Sequence, residues 1–268
     1  MFLQFLIGLI LGALIALAAW RLKTLSRSGA YAAAISGGLI FGLGGLPWAG
    51  LLLTFFISSS ALSRAFARKK AGLNEKFSKG SQRDWGQVFA NGGLGAGLAV
   101  AHALLPGQNW PWIAFVGAMA AVNADTWATE LGVLNPSLPR LITSGRAVER
   151  GSSGAVSLLG SLSALTGAGL VALLAYLCFP AMGFAALCLA ATLGGVGGSF
   201  FDSLLGATVQ AIYWCPHCSK ETERSPRHTC GAATSQLRGW SWLDNDWVNF
   251  GASLAGALLA LFFYTILA

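Results

Sequence analysis

In this 268-residue chain 10% of positions are charged, 55% belong to AVILMFWYC and the mean hydropathy is +0.63. A soluble domain carries about 25% charged residues, so a water-exposed globular fold is excluded. The net charge of +7 does not imply nucleic-acid binding, because topology and attraction to anionic lipid account for the excess of Lys and Arg.

Spans of about 20 residues, each able to cross a hydrocarbon core of about 30 Å, divide the chain into one membrane domain over residues 1–268. The predicted fold is all-α, a polytopic transmembrane bundle of about eight helices. Apolar runs fall at 2–20, 31–46, 48–66, 85–105, 112–134, 154–179, 183–212 and 247–267. The second is short and sits beside Pro47, so it could instead form a re-entrant hairpin with its partner.

The basic residues occupy alternate connections: Arg21 to Arg27, Arg64 to Arg83, Arg140 to Arg150, and Lys220 to Arg238. With eight spans they all share one side. The positive-inside rule makes that side cytoplasmic, with both termini outside the inner membrane. The first run has no basic residues before it and is expected to be a retained helix rather than a cleaved signal peptide. Small-x3-small patterns such as Gly93-x3-Gly97 favour close helix packing and permit a homodimer.

Ionisable groups inside spans are few, and each is costly enough at membrane depth to suggest a function. In the fifth run Asn123, Thr126 and Glu130 share a helical stripe, with Asp125 and Thr129 on the adjoining face. Both carboxylates reach one site only if this helix is buried on most sides or distorted. The turn holding Arg146, Glu149, Arg150, Gly151, Ser152, Ser153 and Gly154 offers phosphate-binding Arg side chains and backbone donors, though an ordinary basic loop would look similar.

In the seventh run Gly194, Gly195, Gly197 and Gly198 precede Ser199-x2-Asp202, which predicts a helix broken near 194–199 and restarted at a cap. The competing reading is a tightly packed Gly-rich helix with Asp202 satisfied by a neighbour. At the start of the last run, Asp246 and Asn249 lie on one helix face beside Asn245 and could complete a polar or metal-binding rim.

Between the last two helices, residues 213–246 form a predicted cytoplasmic loop. Its Cys215-x2-Cys218 and His228-x-Cys230 spacing suits a closed tetrahedral Zn²⁺ site, a structural staple for a segment too small to build a core. His217 could replace His228. Cys178 and Cys188 lie in apolar runs, so the five cysteines make no disulfide framework.

The acids, amides, Arg residues and Gly/Ser turns collect on the basic side. Such a set suits a divalent cation holding a polyphosphate. The blocks 123–132, 150–157, 198–210 and 244–249 resemble the signature of the DUF92 integral membrane family, also called the transmembrane protein 19 family, which includes a phytyl-phosphate kinase of tocopherol synthesis. The resemblance runs from the first spans to the last helix, and Asp202-Ser-Leu-Leu-Gly-Ala-Thr208 is its most specific part.

The resemblance implies phosphorylation of an isoprenyl monophosphate (phytyl, farnesyl or geranylgeranyl phosphate) to the diphosphate, with CTP as the nucleotide donor. It places Mg²⁺ on Asp125, Glu130 and Asp202, supported by Asn123, Asn245, Asp246 and Asn249. Nucleotide phosphates fall to Arg146 and Arg150, with Gly151, Ser152, Ser153, Ser199 and Ser203 adding donors. The alternatives are cytidylyl transfer to a lipid phosphate, and a transporter or lipid-handling protein.

Overall fold

All eight apolar runs become long α-helices, and polar residues cap the start of four of them. The computed structural model describes residues 2–70, 72, 75–80 and 82–268. Its helices are α1 (Phe2–Arg21), α2 (Arg27–Gly44), α3 (Leu46–Ala65), the short α4 (Ala67–Lys70), α5 (Trp85–Leu104), α6 (Trp110–Gly132), α7 (Leu158–Cys178), α8 (Phe184–Thr208) and α9 (Asn245–Leu267). Ser26, Asp84, Ser157 and Asp244 accept hydrogen bonds from first-turn N–H groups that no helix can satisfy internally. At α5 the cap is reciprocal, since Asp84 and Gln87 each bond the other's backbone.

The second run forms one continuous helix, α2. Ser26 starts it four residues before the point where the apolar run begins, and the resulting 18-residue helix packs along α1 and α5. By length and hydropathy α1, α3, α7, α8 and α9 can each cross a membrane. The other long helices, α2, α5 and α6, contain more polar residues or glycine. Helix α6 is the axis of the bundle: it touches α3, α5, α7, α8 and α9, and residues 111–124 are buried without interruption. That burial on all sides meets the condition for its two carboxylates to reach one place.

Helix α8 is continuous, which corrects the predicted break at 194–199. The glycines are there to let backbones meet. A Cβ at Gly194 would lie 2.7 Å from Gly256 O on α9, one at Gly195 2.7 Å from Ala120 Cβ on α6, and one at Gly198 would meet both neighbours. Packed on two sides, the helix keeps its hydrogen bonds and forfeits only side chains. Ser199 and Asp202 are therefore mid-helix residues, and no half-helix N-terminus points at them.

Short strands supplement the predicted all-α fold. β1 (Arg140–Leu141) pairs antiparallel with β2 (Ala155–Val156), pinning together the ends of the α6–α7 connection. In the α8–α9 connection β3 (Ile212–Cys215), β4 (Lys220–Thr222) and β5 (Ser235–Arg238) form an antiparallel sheet of order β4-β3-β5. The four basic connections touch one another at one end of the bundle. Arg83 N donates to Thr24 O at 3.0 Å, Lys76 Nζ lies 2.7 Å from Glu149 Oε2, and Glu223 N donates to Lys76 O at 2.8 Å.

Candidate functional site

At that end the C-terminal part of α6, the middle of α8 and the starts of α5, α7 and α9 surround a cavity of about 710 Å³. Helix α6 contributes Asp125, Thr126, Thr129 and Glu130, and α8 contributes Ser199, Asp202 and Ser203. Ser63 Oγ donates to Glu130 Oε1 at 2.7 Å. Asp202 Oδ2 is buried and, among the described residues, has no hydrogen-bond partner. With Glu223, which also lines the cavity, these carboxylates repel one another, and a cation or protons among them relieve the repulsion.

The turn Arg150-Gly-Ser-Ser-Gly154 also lines the cavity. Gly151 and Gly154 have φ of 78° and 79°, a left-handed conformation that L side chains resist. Gly154 also lies directly against Ala207 of α8, so any side chain there would push the turn off the helix. Arg150 Nη2 donates to Asn135 O at 2.8 Å and Pro136 O at 2.9 Å, while its Nε is buried without a hydrogen-bond partner among the described residues. Ser153 Oγ bonds Gln210 Oε1, and Gln210 Nε2 donates to Glu223 Oε1 at 3.1 Å. Asn245 and Asn249 complete the rim from α9.

Three predicted site residues stand elsewhere. Asn123 is fully buried, accepts from Ser58 Oγ at 3.1 Å and donates to Gly167 O at 2.8 Å; its turn of α6 faces α3 and α7 rather than the cavity. Asp246 is turned toward Lys79 Nζ in an ion pair and does not line the cavity, although Lys79 does. Arg146 is exposed at the tip of the α6–α7 connection and is absent from the lining, because the β1–β2 pair holds that tip outward.

The cavity also recruits residues that spacing did not single out. Lys79, Arg83, Gln87 and Asn91 line it, as does Glu223 from the α8–α9 connection. Arg83 and Lys79 look in sequence like ordinary members of a basic loop, and only the capping box beginning at Asp84 hints that the chain turns inward there. Lys79 bridges Asp84 and Asp246. Burial opposes its charge, yet these two carboxylates win and raise its pKa. Burial lowers Arg83 to about 10, against the charge of Glu130, so it stays cationic at neutral pH. Desolvation raises Glu223 despite hydrogen bonds from Ser78 and Gln210.

A second cluster lies in the α8–α9 connection. Ligand atoms of Cys215, Cys218, His228 and Cys230 all fall within 4.8 Å of one another, so the four could hold a metal ion. His228 takes the fourth place ahead of His217, whose Nδ1 lies 3.8 Å from Cys218 Sγ outside the group. His228 Nδ1 lies 3.4 Å from Cys230 Sγ, while Nε2 is 3.2 Å from Glu75 O, the arrangement that fixes a ligand imidazole's orientation. Hydrogen bonds, first from Ala232 N–H and then from His228, lower the Cys230 thiol to about 6 and favour thiolate. Thr222 Oγ1 and Lys220 also bind Glu75, so the cluster clasps the α4–α5 connection that carries Lys79 and Arg83.

The model of the integral membrane protein family DUF92 matches residues 10–257. Protein PGR of Arabidopsis thaliana is 32% identical over 284 aligned residues, covering 96% of this chain and 94% of that protein. An uncharacterized membrane protein of Methanocaldococcus jannaschii is 35% identical across 69% of this chain and 74% of its own. Another, from Synechocystis sp., is 30% identical across 81% and 74%. No solved structure matches.

Proposed function

The chain belongs to the DUF92 family of integral membrane proteins, and we propose that it transfers the terminal phosphoryl group of a nucleoside triphosphate, CTP in our reading, to an isoprenyl monophosphate at the inner membrane's cytoplasmic face. One observation carries this reading: Asp125, Glu130 and Asp202 converge from two helices on a cavity that the Arg150-Gly-Ser-Ser-Gly154 turn also lines. Anion donors and cation ligands thus line one space of about 710 Å³.

The carboxylates fit Mg²⁺, which favours hard oxygen ligands and commonly takes one or two carboxylates together with phosphate oxygens. The unpartnered Asp202 Oδ2 is available for such a role. When bound, the ion would neutralise phosphate charge. Arg150 Nε and the Ser152 and Ser153 turn would orient the nucleotide phosphates, and Asn245 and Asn249 would bound the site from α9. An oxygen of the acceptor phosphate forms a bond to the terminal phosphorus while the bridging P–O bond breaks, and the departing nucleoside diphosphate keeps the electron pair. The acceptor oxygen is already anionic, so alignment and charge neutralisation suffice without a strong base. At the second cluster the Cys₃His donor set fits Zn²⁺ in a closed structural shell.

Mass spectrometry of products, crossing several prenyl phosphates with several nucleotides, tests the proposal. Prenyl diphosphate with nucleoside diphosphate is the expected pair. A cytidine-linked lipid with pyrophosphate would select nucleotidyl transfer. Nucleotide-independent counterflow in proteoliposomes, with no product, would select transport. Asp202→Asn is expected to lower turnover by on the order of 100-fold or more while the protein stays folded.

A further inference from the structure

A second cavity, of about 320 Å³, lies between α1, α2, α3 and α5. Its walls are mainly aliphatic, aromatic and glycine, with Leu11, Ile15, Phe41, Leu52 and Phe56 among them. Arg83, Gln87 and Asn91, spaced by four at the start of α5, line both this groove and the polar cavity. The two spaces therefore share one polar wall.

Arg83 is rigidly held on that wall. Its backbone bonds Thr24 and Ser26 in the α1–α2 connection, and its guanidinium lies 5.2 Å from the Phe55 ring centre and 5.7 Å from that of Phe56. Nη2 donates to Ser59 Oγ at 2.9 Å. Nη1 is buried and, among the described residues, has no hydrogen-bond partner. An unsatisfied donor on a buried cation is costly, and an anionic oxygen is the partner that removes the cost.

Resting on the kinase reading above, we propose that this groove takes the isoprenyl chain of a lipid monophosphate acceptor and that Arg83 Nη1 binds its phosphate, presenting it to the polar cavity. Apolar walls suit a single hydrocarbon chain, and one buried cation suits a small anionic head. The carboxylates of α6 and α8 line the polar cavity that shares this wall, so a phosphate held by Arg83 would be presented to the nucleotide there. A phosphomonoester offers that guanidinium more free oxygens than the diester of a two-chain phospholipid.

The test measures binding of farnesyl phosphate, farnesol and inorganic phosphate to the full-length protein in detergent, for wild type, Arg83→Gln, Gly37→Leu and Gly92→Leu. A Cβ at Gly37 meets only Leu52 Cδ2 at 3.8 Å, and one at Gly92 only Ser36 Oγ at 4.0 Å, so a side chain can be started at either of these groove-lining positions without a clash at its first atom. Farnesyl phosphate is expected to bind wild type at least tenfold tighter than farnesol or phosphate. Each variant should weaken it at least tenfold, with CTP affinity unchanged in the glycine variants.

A diazirine-bearing farnesyl phosphate should label α2, α3 or α5 in wild type, which decides the matter even where a variant misfolds. Labelling elsewhere, wild-type affinity in both folded glycine variants, no saturable binding, or equal competition by phosphatidylglycerol would each overturn the assignment. Binding without product in wild type removes the kinase reading and leaves the groove. Product formation with unaffected variants does the reverse.

Discussion

Replacing Gly198 with alanine tests whether the glycines of α8 serve close packing. The new Cβ would sit 2.6 Å from Ala121 Cβ on α6 and 2.7 Å from Ala252 O on α9. Carbon contacts settle at about 3.5–4.0 Å, so the overlap is roughly 1 Å on two sides, against atoms that cannot rotate away. Inserting a methyl into a packed interior costs about 1–3 kcal/mol, and rigid neighbours on both sides place this case near the upper end. The helix-propensity gain of alanine over glycine returns about 1 kcal/mol. The net loss is about 2 kcal/mol, which lowers the ratio of folded to unfolded protein by a factor of about 30.

Gly169 on α7 is the internal control, because nothing lies within 4 Å of a Cβ built there. Alanine at that position should gain up to about 1 kcal/mol. Unfolding midpoints in one detergent, followed by tryptophan fluorescence, should rank Gly169→Ala at or above wild type and Gly198→Ala clearly below it. Equal midpoints for the two variants would refute the packing argument and revive an unwound segment.

Three further outcomes follow from named contacts. Asn123→Ala, which removes the hydrogen bonds to Ser58 and the Gly167 carbonyl, should cost about 1–3 kcal/mol in unfolding free energy while leaving activity per folded molecule intact; a selective loss of turnover would return Asn123 to the site. Burial pushes the Asp84 carboxyl up, but hydrogen bonds from Gln87 N–H and Lys79 outweigh it and hold it below 3.8. Its stabilising share is therefore present above that value and lost as pH falls through its lower folded pKa, so Asp84→Asn should flatten the acid limb of the unfolding midpoint against pH, whereas an unchanged limb would count against the ion pair. Elemental analysis should find about one zinc per chain, and Cys218→Ser should lose it and increase hydrogen exchange over residues 75–80; metal-free wild type would dismiss the staple.

Much of the site was readable before the fold because it depends on chemistry that is rare in its surroundings. Asp125, Glu130 and Asp202 stand out in apolar runs, and all three line the cavity. The Gly-Ser-Ser turn and the Cys/His cluster announce themselves by local spacing, which needs only a few bonded neighbours to act. Asn123 and Asp246 lie outside the cavity lining for a common reason: a polar side chain on a helix can face either of two neighbours, and periodicity does not say which neighbour satisfies it. Asn123 found Ser58 and Gly167, and Asp246 found Lys79 from the far end of the chain.

Arg83 shows the opposite failure. In sequence it is one of six basic residues between the third and fourth runs, equivalent by charge to its neighbours. Its backbone bonds to the α1–α2 connection draw it inside, and that burial separates a structural or ligand-binding cation from a solvated one.

The sequence by itself determined that the chain is an integral membrane protein with eight long helices, that its basic connections share one end, and which acids stand within apolar runs. These follow from hydropathy, charge and period, properties of each segment alone. Only the tertiary structure decided that α6 is the axis, that the α8 glycines are contacts instead of a break, and that a polar cavity and an apolar groove meet at Arg83. Those outcomes depend on which helix faces meet, and the small residues that allow close approach leave several pairings open until the whole bundle is packed.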